Sequence, residues 1–160
     1  MAKTYKIHAD NVEATRAIAA GLARWLRGGE VIELVSDLGG GKTLFTQGLA
    51  AALGYDGEVT SPTFTLSNVY RLTSGLEIHH YDLYRLSEGG VVGDELVEDM
   101  GDPVVITVIE WAGAVNAALP ADRLAVDIER SGDESRLFRF RSGGPVSAEI
   151  INHLTQSAPA

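Results

Sequence analysis

A run of glycines between a predicted strand and a predicted helix constrains this chain more than any other feature. The apolar segment 31–35 favours a strand, and the segment 44–53, closed by Gly54, has a helical pattern. Between them lies the sequence Ser-Asp-Leu-Gly-Gly-Gly-Lys-Thr at 36–43. Glycines let backbone N–H groups curve around phosphate oxygens, and the helix directs its positive dipole end to the same place. This order of elements predicts a phosphate-binding P-loop.

Two residues of the predicted loop carry side chains suited to nucleotide chemistry. We expect Lys42 to reach the β- and γ-phosphates and the Thr43 hydroxyl to hold Mg²⁺. Ser36 stands where the motif has its first glycine, and its Cβ would be costly if that position required a positive φ. The plain alternative is a glycine-rich turn without a ligand, but the strand before it and the helix after it favour the P-loop.

Length and composition predict a single domain, residues 1–156, with a loose tail at 157–160. Of the 160 residues, 45% are hydrophobic and 22% are charged, and the chain has no cysteine, which excludes disulfides and thiolate catalysis. No apolar run has the character of a membrane span or a signal peptide, so we expect a cytoplasmic protein without a membrane partner. The net charge of −9 argues against direct binding of RNA or DNA, which requires a basic face.

Two carboxylates at predicted strand ends are candidates for chemistry beside the loop. Glu110 follows the nearly continuous apolar segment 104–109, which favours a strand covered on both sides. Because ligands of open α/β sheets bind outside the carboxyl ends of strands, we expect Glu110 to serve an Mg²⁺ site, directly or through water. Asp82 ends a second predicted strand. It could orient the attacking water or the water shell of the metal, or it could instead pair with Arg85.

Three hydroxyl side chains lie beside Pro62 in the first strand of a predicted hairpin. The segments 59–66 and 76–84 alternate like strands on either side of a turn. One hydroxyl of Ser61, Thr63 or Thr65 could sense a γ-phosphate, as switch segments do. Alternating threonines are also ordinary strand composition, so this signal is weak alone.

The sequence also predicts the structural roles of two histidines, an acidic segment and the remaining helices and strands. His79 and His80 lack partners at metal-ligand spacing, and we expect a structural or surface role for both. Six acidic residues between 88 and 102 predict a helix with an acidic outer face, either solvated or a docking surface for a basic partner. Periodicity further predicts a strand at 4–8, a helix ending at Gly28, a hairpin of 124–129 with 137–141, and a terminal helix at 145–156.

Four blocks of sequence, in this order and spacing, resemble the TsaE (YjeE) family, the small ATPase of bacterial tRNA threonylcarbamoyladenosine (t6A) biosynthesis. They lie at 37–43, 61–66, 80–85 and 110–111, and the length of the chain also fits. Ser36 is the main departure, since the family usually has glycine there. Gly40 is a mild departure, because alanine is common at that position.

The resemblance implies an α/β P-loop NTPase fold, a three-layer sandwich around a mixed parallel and antiparallel sheet. It implies ATP and Mg²⁺ as cofactors. It also implies a slow, partner-stimulated hydrolysis that supports turnover of the TsaB–TsaD complex, which transfers the threonylcarbamoyl group to tRNA. The chain would then reach tRNA only indirectly, through that complex.

Motif matches also imply roles for single residues. Lys42, Asp82 and Glu110 are the predicted catalytic residues, and Thr43 and Glu110 are the predicted metal ligands. Asp82 would serve hydrolysis or the metal's water shell. The predicted nucleotide-binding residues are Asp37, Leu38, Gly39, Gly40, Gly41, Lys42, Thr43, Thr63 and Trp111.

Two other functions remain open from the sequence. A P-loop small-molecule kinase would share the loop but would need an arginine lid and an acceptor pocket. A nucleotide-dependent binding switch would bind ATP and hydrolyse little of it. Release of free phosphate without an acceptor separates the ATPase from the kinase.

Overall fold

A mixed sheet of seven strands forms the middle layer of the molecule. The computed structural model describes residues 2–37, 39–62, 66–84 and 90–157, except for the side chains at 90–93 and 114. The strands are β1 (Thr4–Ala9), β2 (Val31–Val35), β3 (Ser67–Arg71), β4 (Glu77–Asp82), β5 (Val105–Glu110), β6 (Leu124–Arg130) and β7 (Arg136–Ser142). The helices are α1 (Val12–Ala23), α2 (Lys42–Ala52), α3 (Gly90–Met100) and α4 (Pro145–Ser157), with a 3₁₀ helix at Ala112–Ala118.

The strands lie in the order β1-β7-β6-β2-β5-β4-β3, with a parallel centre and antiparallel margins. The β6–β2, β2–β5 and β5–β4 pairs are parallel. The β1–β7, β7–β6 and β3–β4 pairs are antiparallel. The carboxyl ends of β2, β5 and β4 therefore meet at one edge of the sheet, where open α/β sheets bind their ligands.

Helices cover both faces of this sheet. On one face α1, α2 and α4 pack on the larger core cluster, whose strand residues include Ile32, Leu34, Ile78, Ile106 and Val108. On the other face α3 and the 3₁₀ helix pack on a smaller cluster that includes Val31, Tyr81, Leu96, Ile109 and Val115. All six residues of β5 are buried, which confirms the prediction of a strand covered on both sides. The three layers confirm the predicted α/β fold with a mixed sheet.

The first strand of the predicted hairpin starts later than its alternation suggested. Residues 59–62 have no strand pairing, and β3 begins at Ser67; the intervening 63–65 lie outside the described residues. Leu66 has a φ of 69°, and its N–H donates to the Pro62 carbonyl at 2.7 Å. The chain turns there before it enters the sheet, which interrupts the strand that the hydroxyl alternation predicted. A hairpin of β3 with β4 is present, but its first strand, Ser67–Arg71, follows the predicted segment 59–66 instead of coinciding with it.

The remaining predicted elements are present, most of them with small shifts at their ends. They are β1, α1, the β6–β7 hairpin, the helix of the acidic segment and the terminal helix. The exception is α1, which ends at Ala23 and not at the predicted Gly28. The terminal helix includes Ser157, one residue more than predicted, and the other residues of the predicted tail lie outside the described part. The 3₁₀ helix was not predicted, because its sequence is mostly alanine without an apolar period. Among the described helices, none has the length and hydropathy needed to cross a bilayer.

A cluster of ionisable side chains joins β4 to α3. His79 Nδ1 lies 2.7 Å from Asp99 Oδ2, and His79 Nε2 lies 2.8 Å from Glu77 Oε1. The Tyr81 hydroxyl donates to the same Asp99 carboxylate. Burial alone would lower the pKa of His79, but hydrogen bonds to Glu77 and Asp99 and their negative charges outweigh it and raise the pKa.

We expect the stability of the protein to fall as this histidine loses its proton. A raised pKa means that the folded protein binds the proton more tightly than the unfolded chain does. The stabilisation is therefore fully present below the unfolded pKa of about 6.5, and it is lost as the pH rises through the folded pKa. His79→Gln should flatten the dependence of the melting temperature on pH above about 6.5. Parallel profiles for the variant and the natural protein would contradict this.

Candidate functional site

The P-loop joins β2 to α2 and forms one wall of a cavity at the carboxyl edge of the sheet. Gly39 and Gly41 have φ values of 76° and 109°, in the left-handed region that favours glycine. Gly41 is the N-cap of α2, and among the described residues no side chain caps this helix. The loop and the helix start thus provide the backbone donors and the positive dipole end that suit a phosphate.

Oxygen atoms of the loop hold the side chain of Lys42. Its Nζ donates to the Ser36 carbonyl at 3.3 Å, the Ser36 hydroxyl at 3.2 Å and the Asp37 carbonyl at 3.3 Å. The same Nζ lies 4.4 Å from the centroid of the Trp111 ring. Burial lowers the pKa of Lys42, against the opposing influence of the neighbouring carboxylates. A phosphate group at this place would favour the charged amine.

Asp82 and Glu110 lie side by side at the ends of β4 and β5. They are partners in the parallel register, and they are 3% and 2% exposed. Asp82 alternates with Ile78, and Glu110 with Ile106, so both carboxylates lie on the face of the sheet that α2 covers. With Ser61, Trp111 and the loop residues 39–43 they line a cavity of about 280 Å³.

The cavity thus brings together most of the predicted site residues. Gly39, Gly40, Gly41, Lys42, Thr43, Asp82, Glu110 and Trp111 all line it. Asp37 takes part through its carbonyl, which accepts from Lys42. The predicted residues Leu38 and Thr63 lie outside the described residues. So does Arg85, the alternative partner of Asp82.

Hydrogen bonds from a side chain and from the backbone orient the Asp82 carboxylate. The Ser61 hydroxyl donates to Asp82 Oδ2 at 3.3 Å, and the Tyr84 backbone N–H donates to Oδ1 at 3.0 Å. These bonds hold the carboxylate at the cavity wall. Ser61 belongs to the segment whose hydroxyls the sequence suggested as phosphate sensors.

Glu110 is held by His80, which sequence reasoning did not place in the site. His80 is fully buried, and its Nε2 lies 2.5 Å from Glu110 Oε2. Its Nδ1 lies 3.2 Å from the oxygen of Tyr70, and the Tyr70 hydroxyl donates to the Thr60 carbonyl at 3.2 Å. The alternation that puts His80 on the same face as Asp82 was a signal in the sequence, but it did not identify a partner.

Trp111 has a backbone conformation that is uncommon for its residue type. Its φ and ψ are 58° and 52°, in the left-handed region, at the start of the 3₁₀ helix. Its ring packs on Lys42 and lies 4.9 Å, between centroids, from the ring of Tyr84. Such strained positions occur disproportionately at functional sites.

Arg136 connects the P-loop to a distant part of the chain. Its Nε donates to the Gly40 carbonyl at 2.9 Å, across 96 residues of sequence. One terminal nitrogen donates to carbonyls of the turn between β6 and β7, at Gly132, Asp133 and Ser135. No local pattern could have identified this contact, because Arg136 occupies an ordinary alternating strand position.

The Ser36 side chain occupies the space that a Cβ on residue 40 would need. A Cβ added to Gly40 would overlap the Ser36 hydroxyl and lie 2.7 Å from Ser36 Cβ, closer than real Cβ atoms come. Outside glycine, positive φ values occur in the described chain at Leu66 and Trp111, so Ser36 does not bear the backbone cost considered above. The serine at position 36 therefore requires glycine at position 40.

The donor atoms around the cavity suit a nucleotide phosphate with a hard divalent cation. The Thr43 hydroxyl and the carboxylates of Asp82 and Glu110 supply oxygen, which Mg²⁺ prefers over nitrogen or sulfur. Lys42 and the start of α2 supply positive charge for phosphate oxygens. The cavity volume of about 280 Å³ lies just below the range for small-molecule pockets, which suits phosphate groups better than an entire nucleotide.

Comparison with known proteins agrees with the resemblance seen in the sequence. A family model described as "Threonylcarbamoyl adenosine biosynthesis protein TsaE" matches residues 9–138. The chain is 38% identical over 144 residues to the tRNA threonylcarbamoyladenosine biosynthesis protein TsaE of Bacillus subtilis (strain 168), covering 89% of this chain and 88% of the relative. It is 38% identical over 117 residues to the protein of that name from Streptomyces coelicolor, covering 72% of this chain and 79% of the relative.

A solved structure is similar over nearly the whole length. The crystal structure of Bacillus subtilis YdiB has a TM-score of 0.80 and 34% sequence identity, and the match covers 98% of this chain and 97% of that one. Sequence, family model and three-dimensional fold agree: the chain belongs to the TsaE family.

Proposed function

We propose that this chain is the Mg²⁺-dependent ATPase of the machinery that makes threonylcarbamoyladenosine in tRNA. The observation that carries the proposal is the meeting of Lys42, Asp82 and Glu110 at one cavity beside the P-loop. Membership of the TsaE family supports the pathway. A role in tRNA modification also supports a cytoplasmic location, where tRNA is found.

Each site residue has a role that its surroundings support. Lys42 transfers its hydrogen bonds from the loop oxygens to phosphate oxygens, while Gly39, Gly41 and the start of α2 donate backbone N–H groups. Gly40 lines the same cavity, and its N–H donates to the Asp37 carbonyl within the loop. Thr43 and Glu110 hold Mg²⁺, which when bound neutralises charge on the phosphates. Asp82, fixed by Ser61, orients the attacking water or accepts its proton.

Other predicted contacts complete the nucleotide site. Trp111 packs beside Lys42, a position from which it would border the phosphates of a bound nucleotide. Asp37, Leu38 and Thr63 remain proposed contacts, the last as the hydroxyl that senses the γ-phosphate.

The proposed partner is the TsaB–TsaD complex, whose turnover the hydrolysis supports. The net charge of −9 gives the chain few cations with which to displace the counterions of RNA. We therefore propose that it meets tRNA only within the complex. The 61–65 segment, bonded to Asp82 through Ser61, would change the affinity for the partners with the nucleotide state.

Phosphate release from ATP, with and without the TsaB–TsaD complex, tests the proposed function. We expect slow release that the complex stimulates, and Lys42→Ala should lower it at least about tenfold because a phosphate ligand is lost. Circular dichroism should show an intact fold in the variant. Phosphoryl transfer to a small molecule without free phosphate would favour a kinase. Nucleotide binding without any release, even with the complex present, would favour a switch.

Glu110→Gln and Asp82→Asn should affect different steps. Loss of a metal ligand should raise the Mg²⁺ concentration for half-maximal activity at least about tenfold. Loss of the water-orienting carboxylate should lower kcat about 100-fold with nucleotide still bound. Titration of Mg²⁺ and of ATP for each variant measures both effects. The exposed Glu134, replaced as Glu134→Gln, is the matched control, and the reverse pattern would exchange the two roles.

The shared space of Ser36 and Gly40 predicts a compensating pair of substitutions. Gly40→Ala should weaken ATP binding at least about tenfold, because its Cβ collides with Ser36. Ser36→Gly in the same chain should restore most of the affinity, with a coupling of about 1–3 kcal/mol between the two positions. The ATP affinities of the natural chain, the two single variants and the double variant give this coupling energy. Simple additivity of the two substitutions would show that they do not share space.

A further inference from the structure

A chain of buried polar groups runs from Glu110 away from the cavity. His80 is fully buried, with Nε2 2.5 Å from Glu110 Oε2 and Nδ1 3.2 Å from the Tyr70 hydroxyl. The Tyr70 hydroxyl reaches the Thr60 carbonyl at 3.2 Å. Both ring nitrogens of His80 thus have partners within hydrogen-bond distance, which is what a polar group without access to water requires.

The partners determine which nitrogen of His80 donates to Glu110. An ionised carboxylate only accepts hydrogen bonds, so His80 Nε2 carries the proton and donates to Glu110 Oε2. The Tyr70 hydroxyl occupies the other nitrogen and prevents the ring from turning over. Burial raises the pKa of Tyr70, which keeps it a neutral hydroxyl. The two contacts therefore fix the orientation of the imidazole, with Nε2 facing Glu110.

We propose that His80 is a positioning residue that holds the Glu110 carboxylate in the orientation needed to bind Mg²⁺. The proposal rests on the metal-binding role of Glu110 given above. With Oε2 bonded to His80, the direction of the Glu110 carboxylate is fixed, and its remaining lone pairs would be available to a metal ion. Outer partners of this kind fix the direction of a metal ligand, and their loss typically weakens metal affinity about 10–100-fold.

The same arrangement ties both carboxylates of the site to one short segment. Thr60 holds Glu110 through Tyr70 and His80, and the next residue, Ser61, bonds directly to Asp82. A displacement of this segment would therefore move the two carboxylates together.

Mn²⁺ binding in the presence of ADP, followed by the electron paramagnetic resonance signal of the free ion, tests the proposal without reference to turnover. His80→Phe keeps a flat ring and removes the donor, so we expect Mn²⁺ affinity to fall about 10–100-fold. His80→Gln places an amide donor near the position of Nε2 and should recover most of that affinity. ADP affinity in EDTA should stay unchanged in both. His8→Phe is the matched control, because β1 is the outermost strand on the side of the sheet away from β4.

Tyr70→Phe keeps the aromatic packing and removes only the hydroxyl that holds His80, so it tests the proposal even if His80→Phe fails to fold. We expect a smaller loss of Mn²⁺ affinity than in His80→Phe. Natural Mn²⁺ affinity in both Tyr70→Phe and His80→Phe, or equal losses in His80→Phe and His80→Gln, would overturn the positioning role. Glu110→Gln distinguishes a failure of the His80 proposal from a failure of the metal-binding role of Glu110. If it weakens Mn²⁺ binding and the His80 variants do not, only this inference fails; if it has no effect, the proposed metal ligand fails as well.

Discussion

The parallel pairing of β5 with both β2 and β4 is the constraint on which the candidate site depends. It brings the ends of three strands to one edge, so that the P-loop after β2 faces Asp82 and Glu110. Parallel neighbours need crossover connections, and here these pass through the helices that cover the sheet. The apolar core on the two faces thus stabilises the pairing, and the pairing places the charged groups.

Concentrating charge at a buried edge is unfavourable unless each group has partners. Lys42 lies among loop oxygens, Asp82 accepts from Ser61 and a backbone N–H, and Glu110 accepts from His80. An unpartnered buried charge costs several kcal/mol, typically about 3–5 kcal/mol when one member of a buried pair is removed. The hydrogen bonds therefore keep the site assembled before any ligand arrives. They also leave Lys42 close to where phosphate oxygens would bind.

The sequence predicted those parts of the site that are formed by residues close together in the chain. The strand before the glycines and the helix after them define the P-loop, and the apolar run before Glu110 indicates a strand end. The contacts that adjust the site could not be predicted in this way. His80 and Glu110 are 30 residues apart, and Arg136 and Gly40 are 96 apart, so only the folded sheet brings them together. The start of β3 was misplaced for a local reason, since the alternation did not reveal the left-handed turn at Leu66.

The bond from Arg136 to Gly40 has a consequence for the order in which the protein folds. The strand–loop–helix unit is a local structure that can begin to form early, because closing a short loop loses little chain entropy. The shape of the loop, however, includes a contact that only the β6–β7 hairpin can make. A contact of such long sequence separation carries a larger loop-closure entropy cost than a local contact does. We therefore expect the P-loop to acquire its final geometry only once the β6–β7 hairpin has formed, although its sequence lies in the first third of the chain.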